Sequence, residues 1–186
     1  MRPLLVILAV VALAAVGGCS APATYAVAPD PALNAPYRLA SGDRVRVIVF
    51  GQDSLSNSFS VDGTGAIAMP LIGEVRAQGL TTSELARAIE ARLKQGYVRE
   101  PRASVEVEAF RPFFVMGEVN VAGQYPFING MTVQNAIAVA GGFTPRAEED
   151  SVNITRTLGG SLATFPEPLT FPVRPGDTIT VRERFF

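Results

Sequence analysis

The chain has 186 residues, 16 basic and 17 acidic, with one cysteine and neither histidine nor tryptophan. Near-neutral charge leaves no electrostatic footprint for nucleic acid and no polybasic patch for an anionic lipid surface. Without histidine or a second thiol the usual zinc and transition-metal ligands are missing, and neither a Ser-His-Asp nor a Cys-His nucleophile system can be assembled; no catalytic residues, cofactor or metal site are expected.

Met1-Arg2-Pro3 precedes a run of 13 apolar residues, Leu4 to Val16, and then Gly17-Gly18-Cys19. Thirteen residues make about 20 Å of helix, well short of the ~30 Å hydrocarbon core of a bilayer. A positive start, a short apolar run and a small-residue site form a secretory signal peptide over residues 1–18. A cysteine directly after two small residues is the bacterial lipoprotein pattern, with cleavage between Gly18 and Cys19 and acylation of Cys19. A single acyl chain holds marginally, at about 0.8 kcal/mol per buried CH₂. The three chains typical of such lipoproteins make a permanent anchor. Ser20, where an Asp would favour inner-membrane retention, points to the outer membrane of a Gram-negative-type envelope.

Cleavage leaves 168 residues, and taking Arg2 from the 16 basic residues leaves 15 against 17 acidic. That length supports one or two small domains. With Cys19 lipidated no thiol remains for a disulfide, so stability rests on packing. Residues 19–36, with Pro22, Pro29, Pro31 and Pro36 among alanines, form a tether, extended or disordered.

Order begins at Tyr37. Ser41-Gly42-Asp43 is a turn into a β-branched strand, Arg44 to Phe50. Phe59-Ser60-Val61, Asp62-Gly63-Thr64-Gly65 and Ala66 to Met69 carry a hairpin signal, and Pro70 confines the second strand to an edge or an end. Thr81 and Glu84 fit a capping box, and Leu80 with Leu85 fits a hydrophobic staple. The helix buries Leu85, Ile89 and Leu93, turns Arg87, Glu90 and Lys94 outward, and stops at Gly96. Ala103 to Phe110 alternates Val105 and Val107 with Glu106 and Glu108, a strand with one wet face.

Arg111-Pro112 opens a second half. Phe113 to Val119 is a strand broken at Gly117, followed by Gly123-Gln124-Tyr125-Pro126-Phe127. Thr132 caps a short helix, Val133 to Ala140, closed by Gly141-Gly142. Ser151 to Thr157 is a strand, Gly159-Gly160 a turn, Pro166 to Pro175 irregular, and Pro175-Gly176-Asp177 turns into the last strand, Thr178 to Arg182. Residues 119–145 carry no charge over 27 residues. Asn120, Gln124, Pro126, Asn129, Gln134 and Asn135 argue for a buried core segment with polar turns rather than a membrane span. The run from Leu39 to Val47 echoes that from Val173 to Val181. The echo is better explained by two similar Gly-Asp turns than by duplication. Asp43, Asp62, Glu74, Glu118, Asp150 and Asp177 are the carboxylates from which a glycosidase pair would be drawn, but turn chemistry accounts for several of them.

These segments resemble the Wza-like outer-membrane polysaccharide export (OPX) lipoprotein family. Tyr37-Arg38-Leu39 through Gly42-Asp43 and Val45-Val47 is similar to the start of the polysaccharide export domain. Val61-Asp62-Gly63 and the run Ile67 to Val75, with Pro70 and Gly73, are similar to its central signature, and Gly79-Leu80-Thr81 continues it. Val115 to Val119 with Gly117, Gly123-Gln124-Tyr125-Pro126 and Ala140-Gly141-Gly142 resemble an SLBB domain, a β-grasp-type soluble-ligand-binding module. The resemblance implies an α+β fold of two small modules: a polysaccharide export domain over 37–110 and a β-grasp-like SLBB domain over 111–186. Gly42, Asp43, Asp62, Gly63, Pro70, Gly73, Gly117, Gly123, Gly141 and Gly142 are then motif residues with structural roles.

The resemblance further implies a lipid-anchored component at the periplasmic face of the cell outer membrane. It would assemble as a homo-oligomeric ring and conduct a capsule, exopolysaccharide or holdfast polymer. The implied partners are an inner-membrane polysaccharide co-polymerase and, as one option, a separate outer-membrane barrel. Longer relatives continue into a C-terminal amphipathic helix whose ring pierces the outer membrane. Pro172, Pro175 and Gly176 exclude such a helix nearby, so a short member that forms no conducting channel alone is expected. Phe185-Phe186 would either fill the core or dock on the partner that opens the bilayer. Two other readings stand beside this one: a monomeric periplasmic lipoprotein that binds a small soluble ligand through its SLBB domain, and a carboxylate glycan hydrolase.

Overall fold

The computed structural model describes residues 36–184; the signal peptide, Cys19, nearly all of the tether and the terminal Phe185-Phe186 pair lie outside them. The first half contributes β1 (Arg44–Val49), β2 (Asn57–Ser60), β3 (Ala66–Met69), β4 (Gly73–Arg76), helix α1 (Thr82–Leu93) and β5 (Ala103–Ala109). β1 alternates strictly between exposed and buried residues, as a strand with one wet face must. It is the centre of a three-stranded antiparallel sheet, β2-β1-β5. The Thr81/Glu84 capping box forms at the start of α1, and Leu85, Ile89 and Leu93 are fully buried. They close a core with Val45, Val47, Ile67 and Val75.

The second half contributes β6 (Phe113–Gly117), β7 (Gly123–Tyr125), helix α2 (Val133–Val139), β8 (Ser151–Leu158), β9 (Ser161–Pro168) and β10 (Thr178–Val181). Their sheet runs β7-β6-β10-β8-β9. β6 and β10 are parallel at its middle and the remaining pairs antiparallel, the β-grasp-like arrangement. Thr132 and Asn135 form a second capping box, and Val133, Ala136 and Ile137 of α2 are buried in a separate core with Phe113, Ile154 and Ile179. The fold is α+β in two modules, and among the described residues no sheet runs through both.

Three expectations need correction. The hairpin across Asp62-Gly63 does not form: β2 pairs with β1, and β3 pairs with β4 across Pro70-Leu71-Ile72. Val61 is held by the Gly42-Asp43 turn instead, its N–H donating to the Asp43 carbonyl at 2.8 Å while Gly42 N–H donates to the Val61 carbonyl at 2.9 Å. The Asp62 carboxylate accepts from Thr64 N at 2.8 Å and Ala66 N at 3.0 Å, which closes a local turn. The stretch from Pro166 is not wholly irregular, because β9 runs through Pro166 to Pro168 paired with Asn153 and Ser151. β9 is an edge strand, where missing N–H groups cost the ladder nothing on the open side. The charge-free span 119–145 is not uniformly buried either: Val121, Ile128 and Val139 are exposed.

Candidate functional site

The two Gly-Asp turns are built alike. Asp43 is buried; its Oδ2 accepts from Ala40 N at 2.8 Å and from the Tyr37 hydroxyl at 2.6 Å, and its Oδ1 accepts from Arg111 N at 2.9 Å. Asp177 is also buried; its Oδ2 accepts from Arg174 N at 2.7 Å, and both its oxygens accept from Arg156, at 2.8 Å and 2.7 Å. In each turn the carboxylate caps the backbone three residues upstream, and the aspartate N–H donates to that residue's carbonyl at 3.1 Å. Arg156 is itself buried, within 5.4 Å of the centroid of the Phe171 ring and 6.0 Å of Phe165. The fork of a guanidinium matches a carboxylate edge and stacks on aromatic faces, so this pair is fully enclosed.

Arg111 lies at the joint between the modules. Its guanidinium donates to the Tyr37 hydroxyl at 2.9 Å and lies 3.6 Å from Asp43. A Cβ on Gly42 would meet the Arg111 Cβ at 3.3 Å, and one on Gly176 would meet its Nε at 2.6 Å. Both glycines have positive φ, 93° and 85°. The turns therefore approach Arg111 from the two modules without side chains of their own. Phe110 continues the joint, edge-on to Tyr37 at 4.9 Å and to Phe127 at 5.4 Å. Burial, and then the bond to Asp43, push the Tyr37 phenol well above its ordinary value.

The other motif residues are spread through the fold. Gly63 sits in the 62–65 turn, Pro70 follows β3, and Gly73 opens β4 opposite Met69. Gly117 ends β6 at φ 87°, where a Cβ would fall on the Val181 carbonyl oxygen of the parallel neighbour; the close strand approach requires glycine. Gly123 opens β7, and Gly141-Gly142 close α2, with Asn120 donating to the Gly141 carbonyl at 2.7 Å. Of the carboxylates considered for catalysis, Asp43, Asp62 and Asp177 are held in turns, and Glu118 accepts from the Thr144 hydroxyl. The sequence marks Tyr37 as the start of the first motif and Arg111 as the opening of the second half, but gives neither a partner, and it does not mark Arg156; the Gly-Asp echo is the signal that leads to their contacts.

The second sheet has an open face. α2 and the inward residues Phe113, Val115, Ile154 and Ile179 occupy one side. On the other side the register aligns Gln124, Phe114, Thr178, Thr155 and Thr164 in one row, and Met116, Thr180, Asn153 and Pro166 in the next. Thr155 and Thr164 hydrogen-bond at 2.8 Å. These rows carry hydroxyls, amides and one aromatic ring, and no charge. The corresponding face of the first sheet carries Arg44, Arg46 and Glu106.

A domain described as polysaccharide biosynthesis/export protein matches residues 31–108, and the SLBB domain matches residues 112–166. The chain is a polysaccharide export (OPX) family protein with one SLBB domain. The exopolysaccharide production protein ExoF of Rhizobium meliloti (strain 1021) is 33% identical over 118 residues, 57% of this chain and 28% of that protein. The EPS I polysaccharide export outer membrane protein EpsA of Ralstonia nicotianae is 26% identical over 193 residues, 85% of this chain and 50% of its own. The polysialic acid transport protein KpsD of Escherichia coli is 26% identical over 114 residues, 60% of this chain and 20% of its own. The chain thus spans between a fifth and a half of the length of these curated relatives. EpsA is named as an outer membrane export protein and KpsD as a transport protein.

Proposed function

We propose that this OPX chain is a lipid-anchored component at the periplasmic face of the outer membrane, held by Cys19, whose copies form a ring that conducts an exported polysaccharide. The ring would meet an inner-membrane co-polymerase on one side and an outer-membrane barrel on the other, and would catalyse no reaction. The export domain and SLBB domain in tandem, in that order, carry the proposal. The division of the chain near residues 110 and 111 belongs to it, as do the structural roles of the motif glycines and aspartates. The two uncharged rows on the open face of the second sheet suit it: hydroxyl and amide groups exchange hydrogen bonds with sugar or water at similar strength, so a polymer can slide past without being held.

Acyl labelling and native mass spectrometry of the protein extracted from membranes test this reading together. Labelled wild type, an unlabelled and unprocessed Cys19→Ala precursor, and an oligomer larger than a dimer are expected. Normal labelling of Cys19→Ala would remove the anchor, and a strictly monomeric protein would favour the binding of a small soluble ligand.

A further inference from the structure

One stripe of α1 was left without a role. Arg87, Glu90 and Lys94 recur at helical spacing on its exposed side, opposite the loop that carries Arg99, Glu100 and Arg102 into β5. Between helix and loop lies a depression of about 590 Å³ lined by these residues, within the ~300–1,000 Å³ range of small-ligand sites. Its walls are fixed from behind. Leu85, Ile89 and Leu93 seat the helix in the core, Glu90 accepts from Ala103 N at 2.8 Å, and Phe50 N donates to the Arg102 carbonyl at 2.8 Å.

Four cations and two carboxylates face this space, an excess of positive charge. Glu90 is turned to the backbone of residue 103, which leaves Glu100 as the one free carboxylate of the lining. Among the described residues, Lys94, Arg99 and Arg102 form no ion pair and no side-chain hydrogen bond, and Arg87 has only the longer-range attraction of Glu84, whereas Arg38, Arg111, Arg146, Arg156 and Arg182 each meet a carboxylate. A single exposed cation gains little from an anion in water. Four that converge on a concavity focus their field there, and the forks of Arg87, Arg99 and Arg102 match the edge of a carboxylate or phosphate.

We infer that this depression is a binding site for an anionic saccharide unit, a sugar that carries a carboxylate or phosphate oxyanion. The inference rests on the export reading for the source of the sugar, since it makes the unit part of the conducted polymer. It also assigns the two modules different tasks, with charged groups read at the first and neutral chain passed by the second.

Calorimetric titration of the mature chain in detergent tests the site, with galacturonate hexamer, glucose 1-phosphate and maltohexaose as probes. At least one of the two anionic probes should bind, more weakly as salt is raised, and the neutral hexamer should not. Which anionic probe binds distinguishes carboxylate from phosphate as the recognised group. An Arg99→Gln/Arg102→Gln variant should lose tenfold or more in affinity with its oligomeric state unchanged, while Arg44→Gln/Arg46→Gln, on the first sheet, should bind as wild type. Equal binding of acidic and neutral hexamers, no binding of any probe, or affinity unmoved in Arg99→Gln/Arg102→Gln would overturn the inference. An intact oligomer in any of those cases would leave the export reading standing.

Discussion

Asp177 and Arg156 illustrate how much of this fold depends on single polar residues. Both are buried, the two groups are bonded at 2.8 Å and 2.7 Å, and Asp177 also caps Arg174 N. Removing one partner of such a pair leaves the other charge enclosed and unmatched, which costs about 3–5 kcal/mol, whereas replacing both with apolar groups of similar volume is often neutral. Asp177→Ala is therefore expected to lower unfolding stability by about 3 kcal/mol or more in urea titration. Asp177→Leu/Arg156→Met should recover much of that loss, short of the share due to the lost cap. A single-variant loss below ~1 kcal/mol would show that water reaches the pair. Tyr37 is the matching case at the first turn. Its phenol titrates above the ordinary value of 10.0, so the folded state binds that proton more tightly than the unfolded chain. The associated stability is complete below pH ~10 and is lost as pH rises through the folded value. Absorbance titration should find a tyrosine step above the ordinary range, and Tyr37→Phe should remove that late step.

At the level of elements, the helices were the most legible part of the sequence. Thr81 and Glu84 predicted the start of α1, and the structure shows Glu84 Oε2 accepting from Thr81 N at 2.8 Å and Thr81 Oγ1 accepting from Glu84 N at 3.2 Å. Capping is local chemistry, so four residues suffice to read it. Strand pairing is not local, and there the sequence misled. Asp62-Gly63 has the composition of a hairpin turn, but the partner of β2 was fixed by Asp43, some twenty residues away, through its contacts with Val61. The same holds for β9, whose prolines argue against a strand until its edge position is known. The joint at Arg111 was invisible for a related reason: nothing around Arg111 records that Asp43 and Gly176 approach it from two modules. The cap yields a direct test. Bonds from Thr81 hold the exposed Glu84 carboxyl below the usual range, and bonds from Thr64 do the same for Asp62. Both groups bind protons less tightly folded than unfolded. Their stabilising contribution is present at neutral pH and is lost as pH falls through the folded values. Thr81→Ala should cost about 1 kcal/mol at pH 7 in chemical denaturation. The difference from wild type should narrow on acidification below the carboxylate range, and a pH-independent difference would refute a role for the Glu84 half of the box.

For the whole molecule, the separation of properties between the two modules matters more than any single site. The first carries a charged sheet face and the basic depression beside α1; the second carries two neutral hydroxyl- and amide-bearing rows on its open sheet face and the enclosed Arg156–Asp177 pair. Arg111 and the Tyr37-Phe110-Phe127 aromatic contacts join them through backbone and ring packing, so a ring built from such chains would present both surfaces in fixed relation. Among the described residues no helix is long and apolar enough to cross a membrane. Deletion of the encoding gene in its native host, with separate quantification of surface and cell-internal polysaccharide, tests the role in export most directly. Loss of surface polymer with synthesis intermediates retained inside the cell, restored by the wild-type gene, is the predicted result. Unchanged surface polysaccharide in the deletion strain would contradict the account.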